Sequence, residues 1–81
     1  METRVALIGI IVEDLEAVER LNGLLHEYGQ YIIGRMGLPY REKNINIISV
    51  VVNAEADIIS TLAGKLGMLK GVNVKTIYSK K

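Results

Sequence analysis

Leu21-Asn22-Gly23-Leu24-Leu25 and Leu62-Ala63-Gly64-Lys65-Leu66 are one helical frame written twice, forty-one positions apart. Outward from either copy the surroundings also repeat. Val5 to Arg35 and Ile45 to Thr76 each read as an apolar strand, a turn with acidic residues, an amphipathic helix and a second strand. Two such βαβ halves within 81 residues predict an α+β fold, the ferredoxin-like βαββαβ sandwich, with two helices on one face of a four-stranded antiparallel sheet. One domain accounts for residues 1–81.

Periodicity sets the expected elements. Strands are read over Arg4 to Val12, Gln30 to Met36, Ile45 to Val52 and Val72 to Tyr78, and helices over Leu15 to Tyr28 and Ala54 to Leu69. At 100° per residue, Leu15, Val18, Leu21, Leu25 and Tyr28 share one side of the first helix; Ile58, Ile59, Leu62, Leu66 and Leu69 share one side of the second. Asp14 and Asn53 are the expected N-caps. Glu16, Glu55 and Asp57 set carboxylates in the first turns, where they complement the positive end of the helix dipole. Gly37 to Asn44, which holds the chain's one proline, reads as a surface turn.

The strands add a sharper deduction, because alternation of apolar and polar residues fails only where both faces of a sheet are covered. In the first strand Val5, Leu7 and Ile11 oppose Ala6, Ile8, Ile10 and Val12; in the third, Ile45, Ile47 and Val51 oppose Ile48, Val50 and Val52. Both sides are apolar. The last strand alternates Val72 and Val74 with Asn73 and Lys75, as an edge should, and right-handed crossovers put the first and third strands at the centre. Two helices cover one face only. The bare aliphatic side chains on the other would forfeit about 10 kcal/mol at roughly 25 cal/mol per Å². A second copy of the chain is the expected cover, giving a homodimer or tetramer through sheet faces and edges; the alternative is a monomer whose tilted side chains and termini hide that face.

Composition narrows the function. With no cysteine, there is neither a disulfide framework nor a thiolate metal site, and a cytoplasmic location is expected. Ten basic residues against nine acidic leave a net charge of +1, so no direct nucleic-acid binding is expected. No apolar run reaches the roughly 18–20 residues of a membrane span. His26 is the one histidine. It reads as an ordinary helix-surface residue, and only copies brought together across an interface, joined by Glu19 or Glu27, would make it a metal ligand. Neither a metal site nor a cofactor is expected within one chain. Ser49, Ser60 and Ser79 have no histidine and orienting acid nearby in sequence, and the carboxylates sit singly at caps or on solvated faces. An enzyme is not expected.

Two features remain as candidates. Gly34-Arg35-Met36-Gly37-Leu38-Pro39-Tyr40-Arg41 joins two guanidinium groups and a phenol to flexible glycines, a composition suited to a carboxylate or phosphate; as a plain hairpin it would only carry solvated charge. Arg35, Tyr40 and Arg41 are the candidate ligand contacts. Gly23 and Gly64 each cost about 1 kcal/mol in a helix interior. Opposite the apolar stripes, they mark outer faces that another molecule could approach closely, or they are simply inherited from the duplication.

Residue types exclude several occupants of this fold. Base-stacking RNA modules need aromatics on the central strands, and here there are none. The loop Val12-Glu13-Asp14-Leu15 has neither the paired cysteines of a copper chaperone nor the arginine and glycines of an acylphosphatase loop. An ACT-type regulatory module remains. Arg4-Val5-Ala6-Leu7-Ile8-Gly9-Ile10-Ile11-Val12-Glu13, Gly34-Arg35-Met36-Gly37-Leu38-Pro39 and Ile45-Asn46-Ile47-Ile48-Ser49-Val50 together resemble the iron-only hydrogenase system regulators. These are stand-alone ACT-like proteins similar to the ligand-binding domain of the nickel-responsive repressor. The resemblance implies a regulator that binds a small anionic effector or amino acid near a subunit interface; the competing expectation is a structural interaction module with no ligand. The repressor's histidine-and-cysteine metal set is absent, as is its ribbon-helix-helix segment, so nickel sensing and DNA reading are not implied. The glycine that amino-acid-binding ACT domains usually place after the first strand is replaced by Glu13-Asp14-Leu15-Glu16.

Overall fold

In the computed structural model, which describes residues 2–81, the chain runs β1 (Arg4–Val12), α1 (Val18–Glu27), β2 (Ile32–Tyr40), β3 (Ile45–Ala54), α2 (Ala56–Gly67) and β4 (Val72–Tyr78). The sheet order is β2-β3-β1-β4 with every neighbouring pair antiparallel. This is the ferredoxin-like arrangement, with β1 and β3 central as the doubly apolar strands require.

The core forms where one parity of the central strands meets the helices. Ala6, Ile8, Ile10 and Val12 of β1 and Ile48, Val50, Val52 and Ala54 of β3 are buried against Leu21 and Leu25 of α1 and Ile59, Leu62 and Leu66 of α2. The two frames that defined the repeat are therefore equivalent in space. Their leucines fill the core, while a Cβ built on Gly23 or Gly64 meets nothing within 4 Å. Lys65 ties the helices at the surface, its ammonium 5.3 Å from the centroid of the Tyr28 ring. Hydrogen bonding to and charge on Tyr28, with a further contribution from Glu27, raise the pKa of Lys65 above its ordinary value.

Several local boundaries differ from the sequence expectation, each for a physical reason. The first helix opens as a 3₁₀ turn over Leu15–Ala17, capped by Asp14, whose Oδ1 accepts from the Glu16 backbone N–H at 3.0 Å. Leu15 consequently faces water instead of the core. Asn53 is no cap: it pairs with Val5 inside β3, and Glu55 stands at the N-cap of α2 without a side-chain bond. A second 3₁₀ turn, Gly29–Tyr31, delays β2 to Ile32. The strand then runs on through Gly37 to Tyr40, the first half of the expected turn. β2 is an edge strand, so Pro39 sits opposite Asn46 without removing a bond that the sheet needs. The actual turn is the 3₁₀ segment Arg41–Lys43, closed by Asn44 at φ 56°, a left-handed conformation that asparagine tolerates well.

One close approach locks the end of the sheet near α1. Gly71 has φ 74°, and a Cβ there would stand 2.9 Å from the Asp14 backbone nitrogen. The Glu13 N–H donates to the Gly71 carbonyl at 2.7 Å, and Asn73 Nδ2 donates to Glu13 Oε1 at 2.9 Å. Only glycine fits this crossing.

Candidate functional site: two clefts beside an open sheet face

The sheet has two chemically similar faces with different surroundings. Residues of the other parity on β1 and β3, namely Leu7, Ile11, Ile47 and Val51, project away from both helices, joined by Met36 and Leu38 from β2 and Ile77 from β4. Leu7 is 39 % exposed, Met36 69 % and Ile77 66 %. A shallow central depression of this aliphatic surface is lined by Gly9, Ile11, Ile47, Ser49 and Asn73, with Lys75 as its cation among the described residues.

Strand parity also decides the fate of the three candidate ligand contacts. Arg35 pairs with Val50, whose side chain is in the core, so it lies on the helix side of the sheet; Tyr40 pairs with Ile45, on the open side. The three do not converge. Arg35 crosses to α1, where its Nη2 donates to Asn22 Oδ1 at 2.6 Å. It lines a cleft of about 310 Å³ with Val18, Asn22, Gly37, Leu38, Pro39, Asn46 and Ile48. Tyr40 and Arg41 line a neighbouring cleft of about 280 Å³ with Leu15, Pro39, Asn44, Ile45 and Asn46. The Tyr40 hydroxyl is turned toward Glu42 Oε2, at 3.2 Å. Pro39 and Asn46 border both clefts, so the edge of the β2–β3 hairpin divides them.

Sequence reading missed Asn22 and Asn46. In the sequence Asn22 stands in the repeated frame, where the corresponding position is Ala63, and beside His26 at the border of the first helix's apolar stripe. Asn46 lies near the start of β3, between Ile45 and Ile47. Polarity at a position that apolar neighbours surround was the available signal for both. His26 is exposed in the last turn of α1, and among the described residues no group of three or more His, Cys, Asp or Glu is placed to hold a metal ion. No helix is long and apolar enough to cross a membrane among the described residues.

Residues 4–76 match the family model TM1266-like, described as "Iron-only hydrogenase system regulator, putative". The chain belongs to this family. The solved structure of the uncharacterized protein TM1266 from Thermotoga maritima superposes with a TM-score of 0.93 at 40% sequence identity, over 98% of this chain and 100% of that one. No curated protein matches the chain. Membership agrees with the resemblance read from β1, the Gly34 to Pro39 segment and β3, and the family is described as one of regulators.

Proposed function

We propose that this TM1266-like chain is a non-enzymatic ACT-like regulatory module of an iron-only hydrogenase system, which pairs through its open sheet face and is tuned by a small effector. The family description supports the system and the regulatory role. The observation that carries the reading is the second apolar face of β1 and β3, left uncovered by both helices.

A second copy suits that face in size and chemistry. Four strands about 4.8 Å apart and about 27 Å long present roughly 500 Å² in projection. Corrugation by side chains raises the accessible area toward the ~800 Å² per partner of a standard interface. The surface is aliphatic with little charge, so a self-complementary pairing leaves few ions to desolvate. The exposed edges of β2 and β4 offer further contacts by which dimers would form a tetramer.

Arg35, Tyr40 and Arg41 are the proposed effector contacts, one in the cleft beneath α1 and two in the cleft at the hairpin tip. Tyr40 shares its side of the sheet with Leu38 and Met36, which supports coupling between effector and assembly. An effector shifts assembly only through different affinities for the two assembly states. Native mass spectrometry and sedimentation of the purified chain test the reading. A complex of two or four subunits that Leu7→Lys or Ile47→Lys dissociates is expected; a wild-type monomer at tens of micromolar would overturn it.

A second reading is an interaction module without a ligand, docked through the outer faces of the helices. The open space around Gly23 and Gly64 favours it. It predicts that Gly64→Trp preserves the fold and abolishes complex formation with a partner protein, whereas the leading reading predicts no effect on self-assembly.

A further inference from the structure

The cleft beneath α1 has walls of unequal chemistry. Val18, Pro39 and Ile48 supply hydrocarbon, Asn22, Arg35 and Asn46 supply polar groups, and no carboxylate is among the lining residues. Arg35 reaches this place because the parity of β2 turns it toward the helices, while the edge position of β2 leaves it in contact with water.

At this cleft Arg35 is bonded to Asn22. The acceptor is a neutral amide oxygen, so one N–H of the guanidinium is satisfied and the positive charge is not neutralised. The same bond fixes the Asn22 amide with its NH₂ group still free to donate. A held guanidinium with unused N–H groups, flanked by the Asn22 and Asn46 amides, is a receptor for a planar oxyanion. The aliphatic wall beside it asks for hydrocarbon on the same molecule.

We propose that this cleft binds a small organic acid with a carboxylate and a short aliphatic chain but no α-ammonium group, such as a 2-oxo acid. The proposal rests on the effector-tuned reading above and names the effector's chemical class. An amino acid would bring an ammonium group that needs acceptors, and the polar side chains here offer only amide oxygens, one of them already engaged by Arg35. Inorganic phosphate would satisfy the guanidinium and leave the Val18 and Ile48 wall uncovered. Gly37 completes the site: it lies opposite Ile48 in the sheet, and a Cβ at Gly37 meets nothing within 4 Å, so room is kept on the cleft wall.

The test is a ¹⁵N-detected NMR titration of the full chain with 2-oxobutyrate, 2-aminobutyrate and inorganic phosphate at constant ionic strength. The oxo acid is expected to shift the side-chain amides of Asn22 and Asn46 and the Gly37 backbone amide saturably, at least tenfold more tightly than the other two. Arg35→Gln and Gly37→Val should each weaken it tenfold or more, and Arg35→Lys should restore only part of the loss, since lysine lacks the fork. Absence of a saturable shift, equal affinity for the three probes, or unchanged affinity in Arg35→Gln overturns the proposal. Sedimentation under the same conditions separates the two readings. A dimer that ignores the acids removes only the ligand assignment, whereas a monomer that binds them removes the assembly reading.

Discussion

Consecutive residues of β1 meet opposite environments: Ile8 has no exposed surface, and Leu7 keeps 39 % of its own. Both are aliphatic, both belong to a central strand, and each has a β3 residue opposite it, Val50 for Ile8 and Val51 for Leu7. What separates them is the position of two helices. The helix-facing parity is spent on holding one chain together, and the open parity is available for whatever the chain binds. A strand that looks uniformly hydrophobic thus carries a buried set and an exposed set interleaved residue by residue.

The largest effect should come from the helix-facing side. Leu62→Ala removes a buried side chain from the core between α2 and the sheet and is expected to cost about 3 kcal/mol, within the usual 2–5, in urea denaturation. A loss below about 1 kcal/mol would mean that the covered face is packed loosely, and the contrast between faces would shrink. Next in size is Gly71→Ala, which forces a Cβ toward Asp14 at a positive φ; about 2 kcal/mol is expected from thermal or chemical unfolding.

Smaller effects sharpen the contrast. Gly64→Ala, in the interior of α2 with open space around it, should stabilise the chain by about 0.5–1 kcal/mol, and Gly23→Ala should do the same in α1. If either destabilises in the assembled protein but not in dilute monomer, the outer helix faces are contact surfaces. Smallest for folding is Leu7→Lys: measured on the monomer at low concentration, it should change stability by no more than about 0.5 kcal/mol. The same substitution should raise the dissociation constant of the assembly by a hundredfold or more, since it would bury an unpaired ammonium in an aliphatic interface. A Leu7→Lys chain that unfolds as readily as Leu62→Ala would erase the distinction between the two faces.

The repeat, the six elements and the central placement of β1 and β3 were legible in the sequence because periodicity is a local property: 3.6 residues for the helices, two for the strands. β1 and β4 carry the limits expected of them. Less legible were the connections. Asn53 has the chemistry of a cap, but strand pairing with β1 was worth more to it, and Gly37 to Tyr40 has the composition of a turn, yet an edge position lets β3 draw it into the sheet. Arg35, Tyr40 and Arg41 stood out together in the chain. Their separation into two clefts depended on register, which composition does not encode.

By itself, then, the sequence determined the ferredoxin-like architecture and the presence of two apolar sheet faces, since burial patterns follow from residue order alone. Only the tertiary structure decided which face the helices cover, that Asn22 meets Arg35 across thirteen positions of chain, and that Asn46 closes the same cleft. Those outcomes depend on packing between elements distant in the chain. A single residue of register would have carried Arg35 to the other side of the sheet.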